Sequence, residues 1–82
     1  MNLEFLTTSG CTLCEEAFDL VLTCGTLQGV RLTQVDIAHD DSLLACYAER
    51  IPVLRVIDVS GDVLHELDWP FDEQAISRIL TA

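Results

Sequence analysis

The sequence contains no lysine, only two prolines and four glycines, and no hydrophobic run that approaches the length needed to span a bilayer. Without lysine, four arginines stand against 14 acidic residues, for a formal net charge of -10. That balance excludes nucleic acid as a partner, because binding a polyanion needs clustered cations that displace its counterions. Anionic membrane surfaces are excluded for the same reason. Two readings of the acidic surface stay open: a solvated face that keeps a small protein soluble, and a face that meets a basic protein partner. The scarcity of proline and glycine, with 50% hydrophobic residues, excludes disordered and fibrous classes. At 82 residues the chain fits one domain, 1-82, whose small core must use nearly every apolar stretch.

The N-terminal stretch lacks a basic segment, and Glu4 interrupts its apolar residues, so it does not read as a secretory signal. The expected compartment is the cytoplasm, where a close cysteine pair points to metal or redox work rather than a structural crosslink. Four cysteines permit three disulfide connectivities, but clear helix and strand periodicities make a disulfide-stapled scaffold unnecessary.

Asn2 to Thr8 reads as a strand ending in the turn signal Thr8-Ser9-Gly10. From Thr12 the period changes. Cys14, Ala17, Phe18, Val21 and Leu22 form an amphipathic helical stripe, with Glu15, Glu16, Asp19 and Thr23 opposite and Gly25 placed to stop the helix. Val30 to Ile37 reads as a second strand after a loop around Gln28 and Gly29. Asp40 or Asp41 caps a second helix carrying Leu43, Leu44 and Tyr47, which must end before Pro52. Val53 to Ile57 is dense enough in apolar residues for a strand buried on both faces. Gly61 suits the turn of a hairpin to a strand over Val63 to Leu67. Asp72 caps a last helix that turns Ala75, Ile76, Ile79 and Leu80 inward. The order βαβαββα predicts two consecutive βαβ crossovers, then a hairpin and a covering helix: an α/β fold with a four-stranded mixed sheet and helices on both faces.

Chemistry concentrates at Cys11-Thr12-Leu13-Cys14, where the first strand passes into the first helix. A sulfur at a helix start meets unpaired backbone N-H groups and the positive end of the dipole, both favouring thiolate over thiol. Cys14, one turn later, reaches back to close a short disulfide, so Cys11 is the expected attacking thiol and Cys14 the resolving one. Half a zinc site has the same spacing, but a structural zinc needs four ligands, and Cys24, Cys46, His39 and His65 are isolated in the sequence. Glu15 and Glu16 support the helix yet oppose a thiolate at Cys11, which predicts a titration only modestly below the free-cysteine value of about 8.5. Cys24 and Cys46 are expected in the core and both histidines at the surface. Trp69-Pro70-Phe71 is expected to tuck over the sheet. Arg50 has two readings, a cation at a helix C-terminus and a steering charge for an anionic substrate. Pro52, taken alone, is an ordinary trans proline that ends a helix.

The motifs from Cys11 to Ala17, Val35-Asp36-Ile37 and Arg50-Ile51-Pro52-Val53-Leu54 resemble the thioredoxin superfamily over nearly the whole chain, most closely a small glutaredoxin-like family. The resemblance implies a thioredoxin-like fold and a thiol-disulfide oxidoreductase whose catalytic residues are Cys11 and Cys14. It further implies a cis Ile51-Pro52 bond packed against the dithiol, with Thr12, Leu13, Ile51 and Pro52 meeting substrate. The departures concern glutathione. The segment before the last helix, Leu67-Asp68-Trp69-Pro70-Phe71, replaces the glycine pair whose N-H groups hold a glutathione carboxylate in glutaredoxins; Pro70 has no N-H and Asp68 repels an anion. No metal or organic cofactor is expected, since the electrons reside on the two sulfurs, and glutathione, which the resemblance brings in, is disfavoured by these residues. The expected partner is a disulfide-containing protein or small thiol, met by a monomer. Two other readings of the same dithiol are a non-catalytic adaptor or redox sensor, and thiolate capture of metal, including an iron-sulfur cluster shared between two chains.

Overall fold

The computed structural model describes residues 2–24 and 29–81. Among them run β1 (Asn2–Thr7), α1 (Thr12–Leu22), β2 (Arg31–Asp36), a 3-10 turn (Ile37–His39), α2 (Asp41–Tyr47), β3 (Val53–Ile57), β4 (Val63–Asp68) and α3 (Glu73–Thr81). The expected stop at Gly25 and the loop position Gln28 lie outside the described residues; Thr23 is the C-terminal cap of α1.

The strands form one mixed sheet in the order β2-β1-β3-β4. β1 and β2 are parallel, with Asn2 beside Arg31 and Thr7 beside Asp36. β3 runs antiparallel to β1, Leu6 facing Val53, and β4 returns antiparallel to β3. Only the first connection is therefore a βαβ crossover, which corrects the expectation of two in succession. The reason is length. A helix of seven residues rises about 10 Å, whereas a six-residue strand spans about 20 Å, so α2 alone does not return the chain the length of the sheet. The chain crosses the sheet face instead and re-enters from the edge it left.

Alternation along the strands divides the core between two faces. Leu3 and Phe5 of β1 and Leu54 and Val56 of β3 point to one side, against Cys14, Ala17 and Val21 of α1 and Ile76 and Ile79 of α3. Leu6 and Val53 point to the other, against Ile37 and Tyr47. The helices thus cover both faces, as expected. Leu22, assigned to the stripe of α1, is 61% exposed. It sits about 80° round the helix from Cys14, at the rim of the apolar face rather than its centre. Cys46 is exposed too, against expectation: Leu43 and Tyr47 define the inward line of α2, and Cys46 falls about 80° off it.

Asp40 caps α2, accepting from the N-H groups of Ser42 (2.9 Å) and Leu43 (3.1 Å), and Asp72 caps α3 by accepting from Ala75 N-H at 2.8 Å. Each such cap contributes about 1 kcal/mol. Gly61, at φ +92°, closes the β3-β4 hairpin, while the Asp58 carboxylate accepts from the N-H groups of Ser60 and Asp62 across the turn. No helix among the described residues is long and apolar enough to cross a membrane.

Candidate active site

Because β3 is antiparallel to β1, its first residues lie at the same sheet edge as the end of β1, and α1 starts there as well. Gly10 takes φ +75° to turn the chain from β1 into the helix. Cys11 follows as the N-cap of α1, in extended conformation, and its sulfur accepts the backbone N-H of Cys14 at 3.2 Å. That leaves the sulfur facing the N-terminal end of the helix dipole. Cys11 and Cys14 are joined by a disulfide, with α-carbons 5.2 Å apart, within the ordinary range for a bridge. Cys14 is buried in the stripe that packs on Phe5, and Cys11 is half-buried above it. The asymmetry suits an attacking outer sulfur and a resolving inner one. Thr12 and Leu13 between them are exposed, as are Glu15 and Glu16.

Pro52 is fully buried just ahead of β3, at the edge from which α1 starts. The Ile51-Pro52 peptide bond is cis, and so is Trp69-Pro70. The two segments are tied together, since Trp69 N-H donates to the Pro52 carbonyl at 3.2 Å. Ile51 is half-buried and packs against both core clusters. The Trp69 loop tucks over the sheet: Phe71 is buried and meets Trp69 edge-on, ring centroids 5.0 Å apart.

Arg50 fits neither of its two sequence readings. Its guanidinium bonds Asp68 at 2.8 Å and Glu66 at 3.1 Å and lies 4.9 Å over the Tyr47 ring, so its charge is spent on β4. Beside it, Tyr47 donates to Glu66, and Arg55 bonds Glu4 at 2.7 Å. The hydroxyl of Tyr47 holds the Glu66 carboxyl below the usual range, with Arg50 adding to the effect; the same contact and burial push Tyr47 up. These contacts clamp α2 to the sheet face opposite α1. His39 is exposed and reaches Asp36 at 3.5 Å, whereas His65 is half-buried rather than at the surface.

A cleft of about 190 Å³ opens directly on the disulfide. Its polar rim is Thr7, Thr8, Ser9, Glu15 and Gln34, with Phe5 and Phe18 below. The residues expected to meet substrate, Thr12, Leu13, Ile51 and Pro52, do not line it. The sequence showed Thr8 and Ser9 only as turn formers, and Gln34 joins them through the pairing of β2 with β1, which no local pattern specifies. A second depression of about 420 Å³, bounded by Asp68, Asp72 and Arg78, is lined by neither cysteine. Among the described residues no three His, Cys, Asp or Glu side chains gather as a metal site.

None of the curated proteins matches the chain in sequence. Among solved structures it is similar to the structural-genomics target protein XcR50 from X. campestris, at 32% identity and TM-score 0.71, over 96% of this chain and 95% of that one. It shares its fold with thioredoxin 1 from Thermosipho africanus, at 13% identity and TM-score 0.72, over 99% of this chain and 91% of that one. It does so too with thioredoxin-2 of the malaria parasite, at 13% identity and TM-score 0.74, over 98% and 80%. The model of the glutaredoxin-like domain family (DUF836) matches residues 2–81, and the bridged cysteine pair at the start of α1 sits in a thioredoxin-like fold: this chain belongs to the glutaredoxin-like domain family.

Proposed function

We propose that the chain is a thiol-disulfide oxidoreductase working through Cys11 and Cys14. The observation that carries this reading is the bridged pair at the start of α1, with the Cys11 sulfur already accepting a helix N-H. In the reduced protein the same N-H and the helix dipole favour thiolate at Cys11. The thiolate attacks one sulfur of a substrate disulfide, forming a mixed disulfide and expelling the other substrate sulfur as a thiolate that takes up a proton. Cys14 then gives up its proton and attacks Cys11. The Cys11-Cys14 bond forms, the second substrate sulfur leaves, and two electrons have passed to the substrate. A dithiol reductant restores the pair by the same exchange in reverse. The electrons reside on the sulfurs throughout, so the cycle calls for no metal or organic cofactor.

The substrate favoured is a polypeptide disulfide rather than glutathione. Arg50, the cation nearest Pro52 in sequence, is engaged by Asp68 and Glu66, and the Asp72 carboxylate accepts Ala75 N-H at the start of α3. Neither is open to a tripeptide carboxylate. The test is a trap: reduced Cys14→Ser protein, mixed with a disulfide peptide, should accumulate a peptide adduct that maps to Cys11, while Cys11→Ser protein should not. Adducts only on exposed Cys46, or none on Cys11, would contradict the reading.

A further inference from the structure

We infer that the cleft beside the dithiol is a specificity subsite for a lysine or arginine flanking the cysteine under attack, so that the substrates are disulfides in cationic polypeptides. The inference rests on the oxidoreductase reading and adds to it the class of substrate. The cleft shares Cys11 and Cys14 with the reacting pair, so whatever neighbours the substrate sulfur in the mixed disulfide must pass along or into it. Its volume of about 190 Å³ holds about six waters' worth of space, below the range of a whole organic ligand but ample for one long side chain.

The lining selects by charge. Thr7, Thr8, Ser9 and Gln34 offer hydroxyl and amide groups that donate as well as accept, so the sign preference comes from the carboxylate of Glu15, the single ionisable side chain besides the cysteines among the described lining residues. None of the four arginines lines the cleft. Arg31 pairs with Asn2 at the far end of β1, Arg50 and Arg55 are bound to carboxylates, and Arg78 borders the other depression. A guanidinium or ammonium entering here meets acceptors and an opposite charge, whereas a carboxylate meets the full charge of Glu15 against only the partial positive charge of the α1 N-terminus at Cys11. The net charge of -10 draws the same partners in from longer range.

The test uses two cyclic disulfide peptides of one length, one with lysine and one with glutamate beside each cysteine. Each reacts with reduced wild-type protein in single turnover at low salt, and each rate is normalised to that peptide's rate with the neutral thiol mercaptoethanol. The lysine peptide should react about tenfold faster than the glutamate peptide. Glu15→Gln should remove most of that preference, while Glu16→Gln, which deletes the same charge one residue outside the cleft, should keep most of it. Using the ratio of the two peptides cancels any change in the reactivity of Cys11 itself. Equal rates in the wild type would overturn the inference while leaving the oxidoreductase reading in place. Equal effects of the two glutamate substitutions would show a diffuse field and overturn the role of the cleft. Failure of both peptides to be reduced would overturn the oxidoreductase reading, and the inference with it.

Discussion

Cys11 ends the turn that begins at Thr8, and its position is set by one residue before it. Gly10 holds φ +75°, a conformation that costs an ordinary L residue of order 1 kcal/mol. A methyl group built at Gly10 meets nothing within 4 Å, so Gly10→Ala tests the backbone alone. Urea unfolding of the variant should show a loss of about 1 kcal/mol, with no loss from clash. An unchanged midpoint would mean that the turn relaxes at no cost. The turn and the dithiol were legible in the sequence because both are local signals: Thr8-Ser9-Gly10 breaks the strand, and the spacing of Cys11 and Cys14 is one helical turn. Gln34 was not legible as part of the same site, since it arrives through its pairing with Phe5, distant in the chain.

At the scale of elements, α2 shows what local pattern conveys and what it omits. Its cap at Asp40 and its inward residue Tyr47 follow from residue type and period. Its direction across the sheet does not; apolar spacing is the same for a helix that returns a strand's length and one that does not. Nor did sequence separation hint that Arg50, Glu66 and Tyr47 meet. That meeting predicts a pH response. The folded Glu66 carboxyl lies below its usual value, so its contribution is present above the unfolded value of about 4.3 and is lost as pH falls through the folded one. Tyr47 lies above its usual value, so its contribution is present below about 10 and is lost as pH rises through the folded one. Tyr47→Phe removes the hydroxyl common to both. The variant should be about 1–2 kcal/mol less stable at neutral pH, with a shallower acid loss and without the alkaline one. Urea midpoints measured from acid to alkaline pH check this, and curves that run parallel for the two proteins would refute it.

For the whole molecule, the mixed sheet was readable from element order, while the antiparallel placement of β3 was not; yet that placement is what brings Pro52 and Cys11 to one edge. The absence of lysine shapes the outcome as much as any residue present. Among the described residues, no arginine joins Glu15 in lining the cleft beside the dithiol, the feature on which the proposed preference for a cationic disulfide rests. The proposed cycle requires Cys11 and Cys14 to exchange two electrons as one unit. Wild-type protein equilibrated in thiol-disulfide buffers, alkylated and mapped by mass, measures this directly. The result predicted is a single transition in which both thiols disappear together, tenfold in ratio for about every 30 mV. Thiols at Cys11 and Cys14 that titrate separately, or oxidation that maps to Cys46 while this pair stays reduced, would contradict it.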